Sequence, residues 1–405
     1  MRMTAVSKDS RFNLVFLGGF PYPRGMAATR HMQLIIDGFK QYKDITSQVI
    51  VLRQSKKDNP LCGAHKGTPF QTVMGSALRA RFVLFGPAFL FKTRKVIRDA
   101  FRPDMHNILY VYGPPLIDNL FAIRQARGLG FKVVFEIVED DNLAVDLQKG
   151  VWQRASNTFA RAFTHQITRL AHGVIVISSH LLTKFADLMG GAIPIHLRPV
   201  PVDVGRFPNV PRRFAGNITL FYSGSFGLKD GVPVLLDAFD ILAQTYPNLR
   251  LVMTGRASRD DAGMIAARIS RSPYRARIIN KGYLEDYLYE AQLIAADIPC
   301  MTRINHPYAN AGFPYKLAEY LASAKPVIAS RISDIPRFLE DGHSAMLVAP
   351  GDAKDIANKI EYLLLHPQKA MAIAAEARRI ACTHFSHTRQ APGLYGFIQR
   401  ICQDA

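Results

Sequence analysis

The feature that most constrains this chain is an alternation of short apolar runs with helix-length amphipathic segments, and it occurs twice. Asn13–Leu17 (NLVFL), Ser47–Leu52, Ile108–Tyr112, Lys132–Val138 (KVVFEIV) and Gly173–Ile177 (GVIVI) read as strands. Helical patterns at Ala27–Phe39, Leu116–Arg127 and Trp152–Leu170 lie between them. Strands that are apolar along their whole length are buried on both faces, and helical crossovers make such strands parallel. A doubly wound parallel sheet is therefore expected. The stretch 197–211 carries Pro199, Pro201, Pro208 and Pro211 and reads as a linker. Beyond it the alternation restarts, with strands at Ile218–Tyr222, Leu251–Thr254, Ala276–Ile279, Asp297–Thr302 and Pro326–Ser330. Helices are expected at Pro233–Gln244, Arg259–Ser270, Leu284–Ala295, Lys316–Ser323, Lys354–Leu365 and around Met371–Arg379. The expected organisation is a first domain over 1–205, a second over 206–385, and a helix at 386–405 packing back on the first. Residues 1–11 read as a polar tail and 53–75 as a long loop or lid.

With 405 residues, 48% hydrophobic and 20% charged, the composition is that of a globular chain with room for two cores. Cys62, Cys300, Cys382 and Cys402 have no CxxC or metal spacing, which fits reduced thiols. The apolar run Leu14–Gly19 is too short for a secretory leader, and no run reaches the roughly 18–20 residues of a spanning helix. A cytoplasmic protein is expected, soluble or peripheral. The net charge of +19 favours anionic partners. It is concentrated at 78–98, where Arg79, Arg81, Lys92, Arg94, Lys95 and Arg98 flank the uncharged run Phe82–Phe91. Basic flanks around an aromatic centre suit an anionic bilayer, here the inner face of the cell membrane. A buried helix broken at Gly86-Pro87 fits the same residues. No nucleic-acid-binding motif accompanies the charge.

The densest chemistry lies in Pro307–Ser330, PYANAGFPYKLAEYLASAKPVIAS. Gly312 permits close backbone approach, Pro314 suits a first helical position, and Glu319 lies in the short helix that follows. A helix N-terminus at the open end of a parallel sheet favours a phosphate, and a carboxylate there can accept from sugar hydroxyls. On the pattern alone, a plain βαβ unit with a solvated carboxylate fits as well. A second strand–loop–helix, LFYSGSFGLKDGVPVLLDAF (220–239), offers a glycine-bearing loop and one lysine.

These two segments resemble retaining glycosyltransferases of family 4, whose GT-B architecture sets two Rossmann-like domains facing a central cleft. The family's motif runs Glu-Gly-Phe-Gly, a proline-containing stretch, then a second Glu eight positions after the first; this chain looks like the Gly-Phe-Pro-x-Lys-Leu-x-Glu-Tyr variant. Glu319 matches the second Glu, which implies contact with the donor ribose. Gly312 and Phe313 match the Gly-Phe, whose amides lie near the donor phosphates and sugar. Ala311 stands where the first Glu contacts the transferred sugar, and Lys316 falls inside the motif. The family's Gly-Arg-x-x-x-x-Lys-Gly is matched by Gly224 and, to within one residue, by Lys229. Ser225 holds the arginine position, and Arg256 is a supplementary cation. Asn280-Lys281-Gly282-Tyr283 resembles a segment that contacts the base.

In the first domain, Gly19 and Gly25 match an N-terminal glycine loop near donor and acceptor. Arg30 and His31 follow in the helix, with a structural role for His31 alone the simpler reading. Tyr112 ends a strand that lines the cleft. Glu139 and Asp140, in EIVEDDN (136–142), sit where relatives carry an acid or histidine near the sugar; a solvated acidic loop fits them equally. Asp140-Asp141 is not a metal motif.

The resemblance implies a retaining, metal-independent hexosyltransferase without a carboxylate nucleophile. It implies no cofactor, a UDP- or GDP-linked donor sugar and a glycan or lipid-linked acceptor in cell-surface polysaccharide or glycolipid synthesis. A GT-B nucleotide-sugar epimerase and a non-catalytic GT-B scaffold in a polysaccharide-assembly complex remain open alternatives.

Overall fold

The computed structural model of the protein describes residues 11–54, 58–75, 86–115, 117–140, 143, 164–209, 214 and 216–403. The chain forms two compact units. One holds the residues up to Arg198 together with those from Gln390 onward; the other is Pro199–Arg389.

The first unit runs β1 (Phe12–Gly18), α1 (Ala27–Phe39), β2 (Ile45–Arg53), β3 (Cys62–His65), β4 (Thr68–Met74), α2 (Pro87–Ala100), β5 (His106–Tyr112), α3 (Ile117–Gly128), β6 (Lys132–Ile137), β7 (Gly173–Val176), α4 (Ser179–Met189) and β8 (Ile195–Leu197). Its strands lie in the order β3-β4-β2-β1-β5-β6-β7-β8, all parallel except for β3 against β4. The central strand β1 is buried along its whole length, and Phe16 lies between Val49 and Tyr110. Its one polar side chain, Asn13, donates to the Ala100 carbonyl at 2.8 Å and to Asn107 Oδ1 at 2.7 Å, so the buried amide is satisfied.

Two elements of this unit differ from the sequence-based expectation. Residues 62–74 form a β-hairpin within the expected 53–75 loop. Lys66 and Gly67 both have positive φ (48° and 82°), as a tight turn between twisted strands requires. The strand signal is faint because β3 is mostly exposed and Lys-Gly replaces the usual Asn-Gly. In the 78–98 segment, residues 78–85 lie outside the described residues. The remainder is α2, which buries Phe89, Thr93, Ile97 and Ala100 along one face. The opposite face exposes Phe91 (71%) with Lys92, Arg94, Lys95 and Arg98. The expected helix at 152–170 lies largely outside the described residues, and a single helical turn, Ile167–Leu170, stands at its end.

The second unit runs β9 (Ile218–Gly224), α5 (Val232–Ala243), β10 (Leu249–Gly255), α6 (Arg259–Ser270), β11 (Ile278–Asn280), α7 (Asp286–Ala295), β12 (Ile298–Met301), α8 (Pro307–Ala311), α9 (Tyr315–Ala322), β13 (Ile328–Ser330), β14 (Met346–Val348), α10 (Ala353–Leu365) and α11 (Pro367–Ile380). Its six strands are parallel, in the order β11-β10-β9-β12-β13-β14. Helix α6 shows how local chemistry sets an element. Ser258 accepts from the Asp261 amide at 3.1 Å, Asp260 and Asp261 oppose the positive end of the dipole, and Arg268 lies in the last turn. The core joins Leu220, Tyr222, Met253 and Cys300 of the sheet to Leu235 and Phe239 of α5 and to Ile360 and Leu363 of α10.

The chain ends in α12 (His387–Gln403). Its residues Leu394, Phe397, Ile398 and Ile401 join the first unit's core, beside Met32, Ile35 and Phe39 of α1.

Candidate functional site

The second sheet grows from β9 through β10 to β11, then reverses to β12 on the other side of β9. Such a switch point leaves a crevice at the carboxyl ends of the two strands, where open α/β sheets bind ligands. Here it is formed by the loop between β9 and α5 and by the residues after β12. The two are bound together: the Ile304 amide donates to the Lys229 carbonyl at 3.2 Å. Gly231 makes the approach possible. Its φ is +65°, and a Cβ there would lie 1.8 Å from the Thr302 carbonyl oxygen.

Within this crevice Asp230 is 2% exposed. Its Oδ2 accepts from Ser225 Oγ at 2.6 Å, and its Oδ1 lies 3.6 Å from Lys316 Nζ and 3.9 Å from Arg303 Nε. Burial raises the carboxyl's pKa, but Lys316, Arg303 and the Ser225 hydroxyl outweigh it and hold Asp230 well below the usual carboxylate range. Burial likewise pushes the Lys316 ammonium down, to about 8, against the support of Asp230 and with the repulsion of Arg303 and Lys229. Lys316 Nζ also donates to the Tyr222 hydroxyl at 3.4 Å and lies 4.6 Å from that ring's centre. A Cβ at Gly224 would meet both of those atoms at 2.2 Å, so only glycine leaves the lysine its place. Lys229 sits over the Tyr308 ring at 4.3 Å, and Arg256 over Tyr283 at 5.0 Å.

One turn after Lys316, Glu319 is 4% exposed. Its Oε2 accepts from the Tyr289 hydroxyl at 2.7 Å, and its Oε1 lies 3.8 Å from Arg206, which also contacts Glu290. The next residue, Tyr320, accepts from the Ser223 amide at 2.8 Å and ties α9 to the end of β9. The Gly312 carbonyl accepts from Ser333 at 2.6 Å. Phe313 turns inward among Phe338 and Phe385, and Ala311 is fully buried. The structure thus gathers Gly224, Ser225, Lys316 and, one turn on, Glu319. The Lys229 and Arg256 side chains rest on aromatic rings, and the Phe313 side chain belongs to the core. Counted strictly from Gly224, the lysine of the Gly-Arg-x-x-x-x-Lys-Gly pattern falls on Asp230. Sequence reasoning missed Asp230 and Arg303. The signal for the first was an acid directly before a glycine-capped helix in a loop expected to hold only cations.

In the first unit, Gly19 is exposed after β1 and Gly25 packs against Thr29 at the start of α1. Arg30 is half-buried in α1, and Tyr112 ends β5 with its ring 5.6 Å from that of His31. Glu139 is exposed. Asp140 is 4% exposed and bound by Lys184 at 2.5 Å and His180 at 3.0 Å, both from α4. A further cluster lies deeper. Glu136 of β6 is fully buried; His31 Nε2 is 2.7 Å from its Oε1, and Arg198 pairs with the same oxygen. Burial would raise the Glu136 pKa, but His31 and Arg198 prevail and lower it to about 2. An acid inside the apolar run KVVFEIV was the signal, because a buried carboxylate requires a partner.

Residues 217–366 match the profile of the family described as Glycosyl transferases group 1. Over 314 residues the chain is 26% identical to a phosphatidyl-myo-inositol mannosyltransferase of Mycolicibacterium smegmatis, covering 75% of this chain and 72% of that one. It is 28% identical over 171 residues to the Mycobacterium leprae protein of the same name, covering 40% of this chain and 42% of the other. A glycogen synthase of Mycobacterium tuberculosis is 24% identical over 221 residues, 54% of this chain and 52% of its own. The chain thus spans about half the length of the first curated relatives it matches. Among solved structures, the sucrose-phosphate synthase of Thermosynechococcus elongatus covers 97% of this chain and 100% of its own, with a TM-score of 0.76 and 15% identity.

The fold is GT-B. Anabaena HepE, solved with UDP-glucose, shares the GT-B fold over 96% of this chain and 98% of its own, with a TM-score of 0.69 and 20% identity. In the GT-B fold of this chain, no helix among the described residues is long and apolar enough to cross a membrane.

Proposed function

We propose that this protein transfers a sugar from a nucleoside-diphosphate sugar to a glycan or lipid-linked acceptor. The observation that carries the reading is the cationic crevice at the β9/β12 switch point, where Lys316, Arg303 and Lys229 outnumber the single carboxylate of Asp230. Cations preorganised in a buried site stabilise the charge that develops on a departing diphosphate. In this reading Lys316, Lys229 and the backbone at Gly224, Ser225, Gly312 and Phe313 take the diphosphate. Glu319 takes the ribose, Arg256 lies toward the nucleotide, and Ala311 lies beside the transferred sugar. The side chains assigned to the leaving group carry its charge themselves, which fits a metal-independent transfer without a cofactor; retention is assigned from the motif resemblance. A UDP- or GDP-linked donor is assigned, the first supported by HepE, solved with UDP-glucose; the mannosyltransferase relatives support a sugar transfer. The same relatives' names support a lipid acceptor. The exposed face of α2, with Phe91 among Lys92, Arg94, Lys95 and Arg98, is assigned to an anionic membrane surface at the cytoplasmic side.

Calorimetric titration with UDP, GDP and ADP, followed by hydrolysis assays on their sugars, tests the reading. One nucleoside diphosphate is expected to bind, and its sugar to be slowly hydrolysed without acceptor. Glu319→Ala is expected to abolish that binding. Failure of all three nucleotides to bind the intact chain would overturn the assignment. Charge reversal at Lys92 and Lys95 is expected to reduce co-sedimentation with phosphatidylserine-containing vesicles; undiminished co-sedimentation would remove the membrane surface from the reading.

A further inference from the structure

The two positions where the motif resemblance places cations, 225 and 230, hold a hydroxyl and a carboxylate bonded to each other at 2.6 Å. The cations around them come from elsewhere in the unit. Arg303 follows β12, and Lys316 rises from α9. Neither lies in the glycine loop, yet both lie near Asp230 Oδ1, at 3.9 and 3.6 Å. Two cations held this close to one point repel each other unless an anion lies between them. Asp230 supplies it. One carboxylate against Lys316, Arg303 and Lys229 still leaves two positive charges in excess. Arg303 Nε is buried and makes no hydrogen bond among the described residues. A buried donor in that state requires an acceptor.

We propose that Asp230 is a positioning residue, a resident counter-anion that holds Arg303 and Lys316 as the two side chains that grip the diphosphate. The inference rests on the nucleotide-sugar reading and adds to it Arg303 as a ligand and Asp230 as the group that sets the cradle. The arriving diphosphate takes N–H groups of Arg303 and the remaining Lys316 hydrogens while Asp230 keeps both side chains in place. The groups facing Lys316 are Asp230 and Lys229 from the loop before α5, Arg303 from the segment after β12, and the Tyr222 hydroxyl from β9. Asp230 is the anion among them. Removing its charge leaves the ammonium facing cations, so Lys316 surrenders its proton at lower pH.

The test is calorimetric titration of the full chain with inorganic pyrophosphate and, separately, with UDP and GDP, between about pH 6.5 and 9.5. In the wild type, pyrophosphate affinity is expected to fall as pH rises through about 8, where Lys316 loses its charge. Arg303→Gln and Lys316→Gln are each expected to weaken pyrophosphate roughly tenfold or more at pH 7, the scale of one charge-assisted hydrogen bond. Asp230→Asn is expected to move the alkaline fall down by roughly a unit, as loss of a neighbouring opposite charge does. Ser225→Ala, which releases Asp230 without altering any charge, is expected to move it the same way by less; it carries the test if Asp230→Asn does not fold. Affinities of Arg303→Gln and Lys316→Gln within twofold of wild type would overturn the proposal, as would an alkaline limb unmoved in both Asp230→Asn and Ser225→Ala, or no pyrophosphate binding by the wild type. Pyrophosphate binding with these variant effects, but no binding of any nucleoside diphosphate, would uphold the cradle and overturn the nucleotide-sugar reading.

Discussion

Replacing Arg198 by methionine tests the buried charge cluster of the first unit most directly. Arg198 is 3% exposed, pairs with Glu136, lies 3.1 Å from His31 Nε2 and donates to Gln390 at 2.9 Å. Methionine keeps much of the apolar stem but removes the charge, leaving the fully buried Glu136 without its arginine and with His31 Nε2 still 2.7 Å from its Oε1. Breaking a buried pair from one side costs about 3–5 kcal/mol. Because His31 remains at 2.7 Å, the lower end, about 3 kcal/mol, is expected here. In a unit of about 200 residues each kcal/mol is worth about 2–4 °C, so the first unit's transition is expected to drop by about 6–12 °C. Differential scanning calorimetry is the assay, with the two units' transitions followed separately, since a chain of two units need not melt in one step. Glu136→Gln in the same background removes the stranded charge, and the double variant is expected to recover about 2 kcal/mol relative to the sum of the singles. A drop under about 2 °C, or strict additivity of the two losses, would refute the account of Arg198 as the countercharge of Glu136.

Three further outcomes follow from the same geometry. The Glu136 carboxyl is depressed to about 2, below its unfolded value near 4.5, so its contribution to stability is complete above about pH 4.5 and is lost as pH falls toward 2. Acid titration of the melting temperature is expected to be shallower in Glu136→Gln over that range, and an unchanged slope would contradict it. Gly231→Ala meets both a left-handed φ and a carbonyl at 1.8 Å, whereas Gly342→Ala has φ +70° with nothing near its added Cβ. The second is expected to lose about 1 kcal/mol, the first at least twice that, measured by urea unfolding; equal losses would remove the close approach at Thr302 from the argument. Cys300 is fully buried and burial pushes its thiol pKa far up, whereas Cys62 and Cys382 are exposed. Native protein treated with a thiol reagent and read by mass spectrometry is expected to carry label at Cys62 and Cys382 but not at Cys300 until it is unfolded.

Much of the architecture was legible because it follows from local chemistry. Helices 27–39 and 259–270 form where the apolar spacing or the caps require them. The buried parallel strands announce themselves as unbroken apolar runs. The hairpin at 62–74 was not legible, because its register depends on pairing with β2, a partner distant in sequence, and its turn carries an unusual Lys-Gly. Helix α4 and strand β8 also escaped notice, although Ser178 caps the one and Gly190 ends it. The crevice was half legible. Gly224, Lys316 and Glu319 lie in segments with their own patterns. Arg303 reaches Asp230 from 73 positions away, and Arg198 reaches His31 from 167. Nothing local marks either arginine, because the meeting is made by the topology of the sheets.

The return of α12 to the first unit has a consequence for how the protein comes into being. Gly173 of β7 lies so close to this helix that an added Cβ would stand 2.4 Å from Ile401, and Phe397 stacks on His196 of β8. The first unit's hydrophobic interior is therefore completed by residues that leave the ribosome only after all of Pro199–Arg389 has been made. During synthesis the apolar flank of that sheet waits uncovered while the second unit, whose residues are contiguous, is already able to close on itself. The first unit's core can therefore close fully only once α12 has been made, although its strands are made before the second unit.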